Sequence, residues 1–243
     1  GLLPEIPNVP HADVVQGKGE EDNVEIRQGG TVPEFDFTPV SHWELAEKYQ
    51  LIRFELGNKV TGSGFPFYMG KGAKLQRALI QFFLDEGEKA GYHEVLPPFF
   101  VNRDSAFATG QLPDKEGQMY RIESDGFFPV PTAEVPVTNI YRDVILEAGD
   151  FPVKHMAYSP CFRREAGSYG KNVRGLNRVH QFDKVEIVQL SHPDNSWHEL
   201  KAMMNYVESL IQKLQLPDRV MRLCGGDMGF AASMTYDFEV YSA

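Results

Sequence analysis

Two runs of alternating side chains, separated by a glycine-rich basic loop, constrain the fold of this 243-residue chain more than any other feature. The first run extends from Cys161 to Glu165, and the second extends from Phe182 to Val188. Successive side chains of a β-strand point to opposite faces, so each run has one polar face. The pattern predicts a hairpin of two strands whose polar face is free for a ligand.

Both predicted strands carry opposite charges on one face. In the first strand, Arg163 and Glu165 share a side and Arg164 lies opposite. The polar face of the second strand carries Phe182, Lys184 and Glu186. An arginine can grip a phosphate or carboxylate through two oxygens, an aromatic ring can stack on a base, and carboxylates accept hydrogen bonds from amines. No single member is specific, but the combination predicts a ligand site rather than a surface hairpin with solvated charges.

The loop between the strands, residues 166–178, is suited to closing over phosphates. It contains several glycines together with Arg174 and Arg178. Loops often carry binding residues, and arginine forms strong charge-assisted hydrogen bonds to phosphate. The net charge of the whole chain is −10, which opposes generalised binding to nucleic acid. Any nucleic acid partner is therefore expected to be held locally.

Apolar spacing predicts two long helices, over residues Lys71–Ala90 and Asn195–Leu216. Gly91 is placed to end the first helix. A shorter helix is predicted to begin after Ser41, because Glu44 follows three residues later in the capping-box arrangement. These elements, with the hairpin, predict a chain of mixed α and β structure.

The stretch Tyr92–Val101 is rich in aromatic and β-branched residues but is interrupted by Pro97 and Pro98. Proline cannot donate to a sheet ladder, so this stretch is expected at a sheet edge or an interface. Residues 1–40 are rich in proline, glycine and acidic residues and are read as extended chain that wraps a core. We expect one domain over residues 1–243.

Composition and cysteine spacing indicate where the protein is located and which metal sites or disulfides it contains. No apolar run approaches the roughly 20 residues that a membrane-spanning helix needs, so no membrane partner is expected. Cys161 and Cys224 lie far apart, without the spacing of a disulfide framework or a zinc site. We expect a cytoplasmic protein with no metal site of its own in this chain.

Three segments carry a family resemblance. The string FRREAGSYGKNVRGLNRVHQFDKVEIV resembles motif 2 of class II aminoacyl-tRNA synthetases. It has the form seen in bacterial seryl-tRNA synthetases. The string GYHEVLPPFF resembles motif 1, and PTAEVPVTN resembles the serine-binding T-x-E loop. The similarity runs essentially from Asn8 to the C-terminus. It implies an α+β fold with an antiparallel sheet flanked by helices.

The resemblance also implies roles at the ATP site. Arg163 would be the catalytic residue that holds the α-phosphate and the substrate carboxylate, and Glu165 would read the adenine amino group. Phe182 would stack on adenine. Arg164 is a weaker ATP-site candidate, and Arg178 would reach the phosphate tail. The nucleotide side would be lined by Val179, His180 and Gln181. A histidine entering a strand is more often a structural residue than an acid or base, so His180 is not assigned catalysis.

On the serine side, the resemblance implies that Thr132 and Glu186 bind the amino group and the hydroxyl of L-serine. Ala133 and Glu134 belong to the same loop, with Glu134 in a supporting role. Serine's carboxylate is already ionised and would attack the α-phosphorus of ATP in line, so positioning and charge neutralisation suffice without a general base.

The resemblance implies three partners besides ATP. These are L-serine, tRNA(Ser) in the full-length protein, and a second copy in a homodimer built around Gly91, Pro97 and Pro98. The family's tRNA-gripping helical hairpin would precede Gly1, and motif 3 and the principal protein ligand of Mg²⁺ would follow Ala243. We therefore expect weak or no activation by this chain. Two alternatives stay open: a non-catalytic relative that binds ATP or serine or has a regulatory role, and an aminoacyl ligase acting on a carrier protein.

Overall fold

The computed structural model describes residues 6–166 and 174–242, which fall into two compact units. One unit comprises Val40–His192, and the other comprises Gly1–Pro39 with Pro193–Ala243. The strands are β1 (Val24–Gly29), β2 (Ile52–Arg53), β3 (Phe67–Tyr68), β4 (His93–Glu94), β5 (Phe100–Val101), β6 (Phe128–Pro129), β7 (Val153–Phe162), β8 (Gln181–Leu190), β9 (Asp218–Arg222) and β10 (Tyr236–Val240). The helices are α1 (His42–Lys48), α2 (Phe54–Val60), α3 (Lys71–Lys89), α4 (Arg103–Ala108), α5 (Glu134–Thr138) and α6 (Ser196–Lys213).

The unit Val40–His192 is built around the long hairpin. Strands β7 and β8 pair antiparallel over ten residues each, from Val153 opposite Leu190 to Phe162 opposite Gln181. Strand β4 lies on the other side of β7 and runs parallel to it. The predicted hairpin is confirmed, and its strands are the longest of the described residues.

Helix α3 packs on one face of β7 and β8. Asp183 joins the two layers, because its carboxylate accepts a hydrogen bond from Gln76 of α3 at 2.8 Å and another from the Tyr158 hydroxyl at 2.7 Å. Burial and the nearby Asp183 charge raise the pKa of Tyr158, so its hydroxyl stays a donor at neutral pH. With α3 on this face, the opposite face of β8 is left for Phe182, Lys184 and Glu186.

The segment before α5 is fixed by buried apolar neighbours. Val130, Ala133, Val135 and Val137 all have no solvent-exposed area. They belong to two core clusters, one of which includes Ala157 of β7. Close packing on both sides holds the backbone between them, including Thr132, against the strand pair.

The second unit contains a three-stranded antiparallel sheet in the order β1, β9, β10. Helix α6 contacts β10, and Glu208 of α6 forms an ion pair with Arg27 of β1 at 3.1 Å. Residues 1–40 therefore contribute a sheet strand, β1, in addition to extended chain. The prediction of a single domain over residues 1–243 stays a prediction.

The predicted bounds of α3 and the predicted start of α1 agree closely with the structure, whereas α6 ends at Lys213, three residues before the predicted Leu216. Helix α3 ends one residue before the predicted Ala90, and Gly91 follows with a φ of +83°, a conformation that glycine adopts without strain. Ser41 and Glu44 form the predicted capping box of α1. Among the described residues, none of the helices has the length and apolar character needed to cross a membrane.

The predicted strand over Tyr92–Val101 is wrong as one continuous element. Strand β4 pairs with β7, whereas β5 pairs with β6, and the prolines lie between them. Because Pro97 and Pro98 cannot donate to a ladder, the chain changes partner at this point. Strand β4 does lie at the edge of its sheet, as predicted, but the stretch as a whole joins two different strand pairs.

Candidate active site

Three polar groups meet on the face of the hairpin opposite α3. Lys184 and Glu186 are two residues apart on β8, so they share a face and form an ion pair. The Thr132 hydroxyl donates to Glu186 Oε2 at 2.8 Å and accepts from Lys184 Nζ at 2.7 Å. We call this arrangement the Thr132–Lys184–Glu186 triangle. It joins a carboxylate, a hydroxyl and an ammonium group on one polar surface.

Thr132 is the buried member of the triangle, with 4% of its surface exposed. Its hydroxyl also accepts a hydrogen bond from the backbone N–H of Glu134 at 3.2 Å, which fixes its rotamer at the start of α5. The two charged members keep more solvent contact, with 31% of the Lys184 side chain and 22% of the Glu186 side chain exposed. The triangle therefore has one buried member that the backbone holds in place and two charged members that solvent can reach.

Glu134 adds a second carboxyl group beside the triangle. By surface area the residue is exposed, but enough protein surrounds its carboxyl group that desolvation raises its pKa, and the negative charge of Glu186 raises it further. The positive charges of Lys184 and Arg163 act in the opposite direction. Two carboxylates close to two cations form a local field that suits a zwitterionic ligand such as an amino acid.

Arg163 lies just past the end of β7, where its N–H donates to the carbonyl of His180 at 3.0 Å. Its Nε donates to the carbonyl of Pro131 at 3.2 Å, and its guanidinium lies 5.1 Å from the centre of the Phe182 ring. These contacts orient the side chain from the backbone and from the ring face. The remaining guanidinium N–H groups have no hydrogen-bond partner recorded among the described residues, which suits them to an anionic ligand.

A cavity of about 300 Å³ lies beside Glu165, Arg178 and His180. Glu165 and Arg178 meet in its wall, with the guanidinium nitrogen 3.2 Å from the carboxylate oxygen. The lining residues are Phe54, Asn58, Ser63, Gly64, Phe65, Glu165, Gly175, Arg178 and His180. The cavity thus carries one carboxylate, one cation and three aromatic rings, which are groups that can contact a base and its phosphates.

His180 is held on several sides. Its N–H donates to the carbonyl of Gly64 at 2.8 Å, its Nδ1 lies 2.6 Å from the Tyr120 hydroxyl, and its ring stacks on Phe65 with centroids 5.4 Å apart. A Cβ on Gly64 would lie 2.2 Å from the His180 ring, so only glycine allows this approach. These contacts give His180 the hydrogen-bonded role that the sequence favours.

The predicted alternation of Arg163, Arg164 and Glu165 along a strand is wrong. Strand β7 ends at Phe162, and the N–H of Arg164 donates to the carbonyl of Gln118 instead of a neighbouring strand. Glu165 has a φ of +49°, which turns the chain out of the extended conformation. Glu165 consequently pairs with Arg178 and does not share a strand face with Arg163.

The remaining predicted residues lie in different environments. Val179 is buried, Gln181 is exposed at the start of β8, and Ala133 is a buried core residue beside Thr132. Arg174 lies at the edge of the described residues, and the rest of the predicted phosphate loop, residues 167–173, lies outside them. The predicted interface residues Gly91, Pro97 and Pro98 flank Leu96, which is 79% exposed.

Two contact residues were missed as site residues. Lys184 was placed on the correct face but given no role, although its position two residues before Glu186 could have indicated an ion pair. Tyr120, which contacts His180, lies 60 residues away in the sequence. No local pattern connects residues that far apart, so only the fold brings Tyr120 to the site.

Comparison with known sequences identifies the family of this chain. The sequence model of the tRNA synthetase class II core domain (G, H, P, S and T) matches residues 120–243, just over half of the chain. The chain belongs to this family. The matched part of this synthetase core contains the triangle, Arg163 and the Glu165–Arg178 pair.

The synthetase core is also similar to individual proteins over nearly its whole length. The serine–tRNA ligase of Salinibacter ruber is 55% identical over 242 residues, which is 100% of this chain and 56% of that protein. The seryl-tRNA synthetase of Pyrococcus horikoshii complexed with ATP superposes with a TM-score of 0.95 at 34% identity, covering 98% of this chain and 58% of that chain.

A third relative is the cytoplasmic serine–tRNA ligase of Naegleria fowleri in complex with AMP. Its TM-score is 0.93 at 28% identity, covering 99% of this chain and 57% of that chain. The chain therefore spans a little over half the length of these relatives. The predicted fold, an antiparallel sheet flanked by helices of the class II synthetase type, is confirmed.

Proposed function

We propose that this chain is the catalytic core of a serine–tRNA ligase, which activates L-serine with ATP to seryl-adenylate and then transfers serine to tRNA(Ser). The observation that carries the proposal is the Thr132–Lys184–Glu186 triangle lying on the same strand face as Phe182. Phe182 and Glu186 are four residues apart on β8, a separation of about 13 Å. That length is enough to lay out an aminoacyl-adenylate with the base at one end and the amino acid at the other.

The roles proposed for individual residues are those that the family resemblance implies, and the contacts described above support them. Thr132 and Glu186 bind the serine ammonium, and Glu186 also accepts from the serine hydroxyl. A hydroxyl-binding carboxylate discriminates against alanine, because it would be left without that donor when alanine is bound. Arg163 binds the serine carboxylate and the α-phosphate. Threonine would have to be excluded by steric fit.

At the nucleotide end, adenine stacks on the Phe182 ring, Glu165 accepts from its amino group, and Arg178 contacts the phosphate tail. A carboxylate oxygen of serine attacks the α-phosphorus, a phosphorus–oxygen bond forms, and the bond to the bridging oxygen breaks as pyrophosphate leaves. Charge builds on the α-phosphate oxygens in the transition state, and Arg163 stabilises it.

Magnesium accompanies ATP in reactions of this type. Among the described residues no cluster of three or more histidine, cysteine, aspartate or glutamate side chains could hold a metal ion. The steps above describe what the arginines of this chain contribute. The cytoplasmic location and the homodimer built on the segment that carries Gly91, Pro97 and Pro98 are also part of this proposal.

Calorimetric binding of a non-hydrolysable sulfamoyl analogue of seryl-adenylate tests the pocket independently of turnover. We expect the seryl analogue to bind more tightly than the alanyl and threonyl analogues. Glu186→Gln should weaken the seryl analogue by about 10- to 100-fold, the cost of one hydrogen bond to a charged group. The matched control is Glu123→Gln, which changes an exposed carboxylate elsewhere in the same unit and should leave binding unchanged. Equal affinity for all three analogues would refute the assignment of serine.

Serine-dependent exchange of labelled pyrophosphate into ATP separates an enzyme from a binding relative. Exchange that depends on serine and disappears in Arg163→Ala supports the ligase. Tight analogue binding without exchange supports the non-catalytic alternative. Transfer of serine to a carrier protein instead of tRNA would support the second alternative.

A further inference from the structure

The Thr132 hydroxyl has no capacity left for another ligand. A hydroxyl has one proton to donate and two lone pairs that accept. The proton goes to Glu186, and the lone pairs accept from Lys184 Nζ at 2.7 Å and from the Glu134 N–H at 3.2 Å. A substrate ammonium that is to bind this oxygen must therefore displace one of the two donors.

Of these two donors, only Lys184 can leave easily. The Glu134 N–H belongs to the backbone at the first residue of α5, between buried neighbours. Lys184 has a flexible four-carbon stem, and 31% of its side chain is exposed to solvent. Its ammonium group is chemically equivalent to the α-ammonium of an amino acid. It contacts the Thr132 hydroxyl and the Glu186 carboxylate, the two groups proposed to bind the substrate ammonium.

We infer that Lys184 is a positioning residue whose ammonium group holds the place of a substrate ammonium on Thr132 and Glu186 and withdraws when that ligand binds. This inference rests on the proposed function, which assigns that subsite to Thr132 and Glu186. In the empty site, the Lys184 ammonium balances Glu186 and the nearby Glu134 carboxyl group and keeps the hydroxyl oriented. Only a ligand with its own ammonium group replaces all of these contacts.

The inference makes Lys184 a competitor of the substrate, in contrast to a residue that helps to bind it. Lys184→Met keeps most of the apolar stem but removes the charge. The variant should bind L-serine more tightly than the unmodified chain. We expect a dissociation constant about tenfold lower, which corresponds to 1.4 kcal/mol. The affinity for glycerate, which has a hydroxyl in place of the ammonium group, should not improve.

Isothermal titration calorimetry with L-serine and with glycerate tests this on the whole chain at mildly alkaline pH, where the carboxyl groups are ionised. Lys154→Met is the matched control, because Lys154 lies on β7 against Tyr92 and its loss removes an equal charge. Lys184→Arg keeps a cation and should keep the lower serine affinity. Thermal unfolding of each variant checks that it is folded.

The outcomes separate the two proposals. Tighter serine binding by Lys184→Met alone, without a gain for glycerate, supports the inference. Equal or weaker serine binding by this variant overturns the inference and leaves the proposed function standing, provided that the unmodified chain binds serine. Absence of serine binding in every protein overturns both.

Discussion

Replacing Thr132 by valine tests how much the triangle contributes to stability. Valine has nearly the same shape, but it removes the donor to Glu186 and the acceptor of the Lys184 ammonium and the Glu134 N–H. Hydrogen bonds to charged groups contribute about 1.5–3 kcal/mol each, but both charged partners are partly exposed and regain water. We therefore expect a net loss of about 3 kcal/mol.

Thr132→Ser is the matched control, because serine keeps the hydroxyl and removes only one methyl group, at a cost of about 1 kcal/mol. In a chain of this size 1 kcal/mol shifts the melting temperature by roughly 2–4 °C. Thr132→Val should therefore melt about 4–8 °C below Thr132→Ser when both are followed by calorimetry. Equal melting temperatures would refute the reasoning, because they would mean that losing the hydroxyl costs no more than losing one methyl group, about 1 kcal/mol.

Three further changes have defined outcomes. Gly64→Ala should destabilise the chain and weaken nucleotide binding, because the position has a φ of +84° and a Cβ would clash with the His180 ring; unchanged melting and binding would contradict this. Glu134 has a raised pKa, so its contribution to stability is full below its ordinary value of 4.5 and is lost as pH rises through the folded-state value. Glu134→Gln should therefore raise the melting temperature at neutral pH but not in acid. Melting curves at both pH values test this, and a lower melting temperature of the variant at neutral pH would contradict it. Tyr158→Phe should cost about 1–3 kcal/mol in urea unfolding, because Asp183 loses a donor; a cost near zero would show that water replaces the hydroxyl.

The sequence predicts local structure well wherever a regular pattern persists. The spacing of apolar residues predicted α3 to within one residue at its C-terminal end, and alternation placed Lys184 and Glu186 on one face of β8. Alternation fails after Phe162, because it indicates a face only while the chain stays extended. The positive φ of Glu165 ends the extended conformation, and a glutamate at this position gives no indication that the chain will turn.

Contacts between distant segments depend on the fold. Thr132 and Glu186 are 54 residues apart, and the family resemblance, not periodicity, placed both in the same site. The parallel pairing of β4 with β7 and the contact of Tyr120 with His180 have no local signal either. Packing of the buried segment around Val130 and Val135 brings these groups together, and side-chain patterns do not encode that packing directly.

A crystal structure of the chain with the sulfamoyl analogue of seryl-adenylate tests the central claim most directly. The account predicts that the ammonium group of the seryl moiety contacts Thr132 and Glu186, that Arg163 contacts the sulfamoyl group, and that adenine lies against the Phe182 ring. A seryl group bound away from the Thr132–Lys184–Glu186 triangle, or an adenine ring that does not contact Phe182, would contradict it.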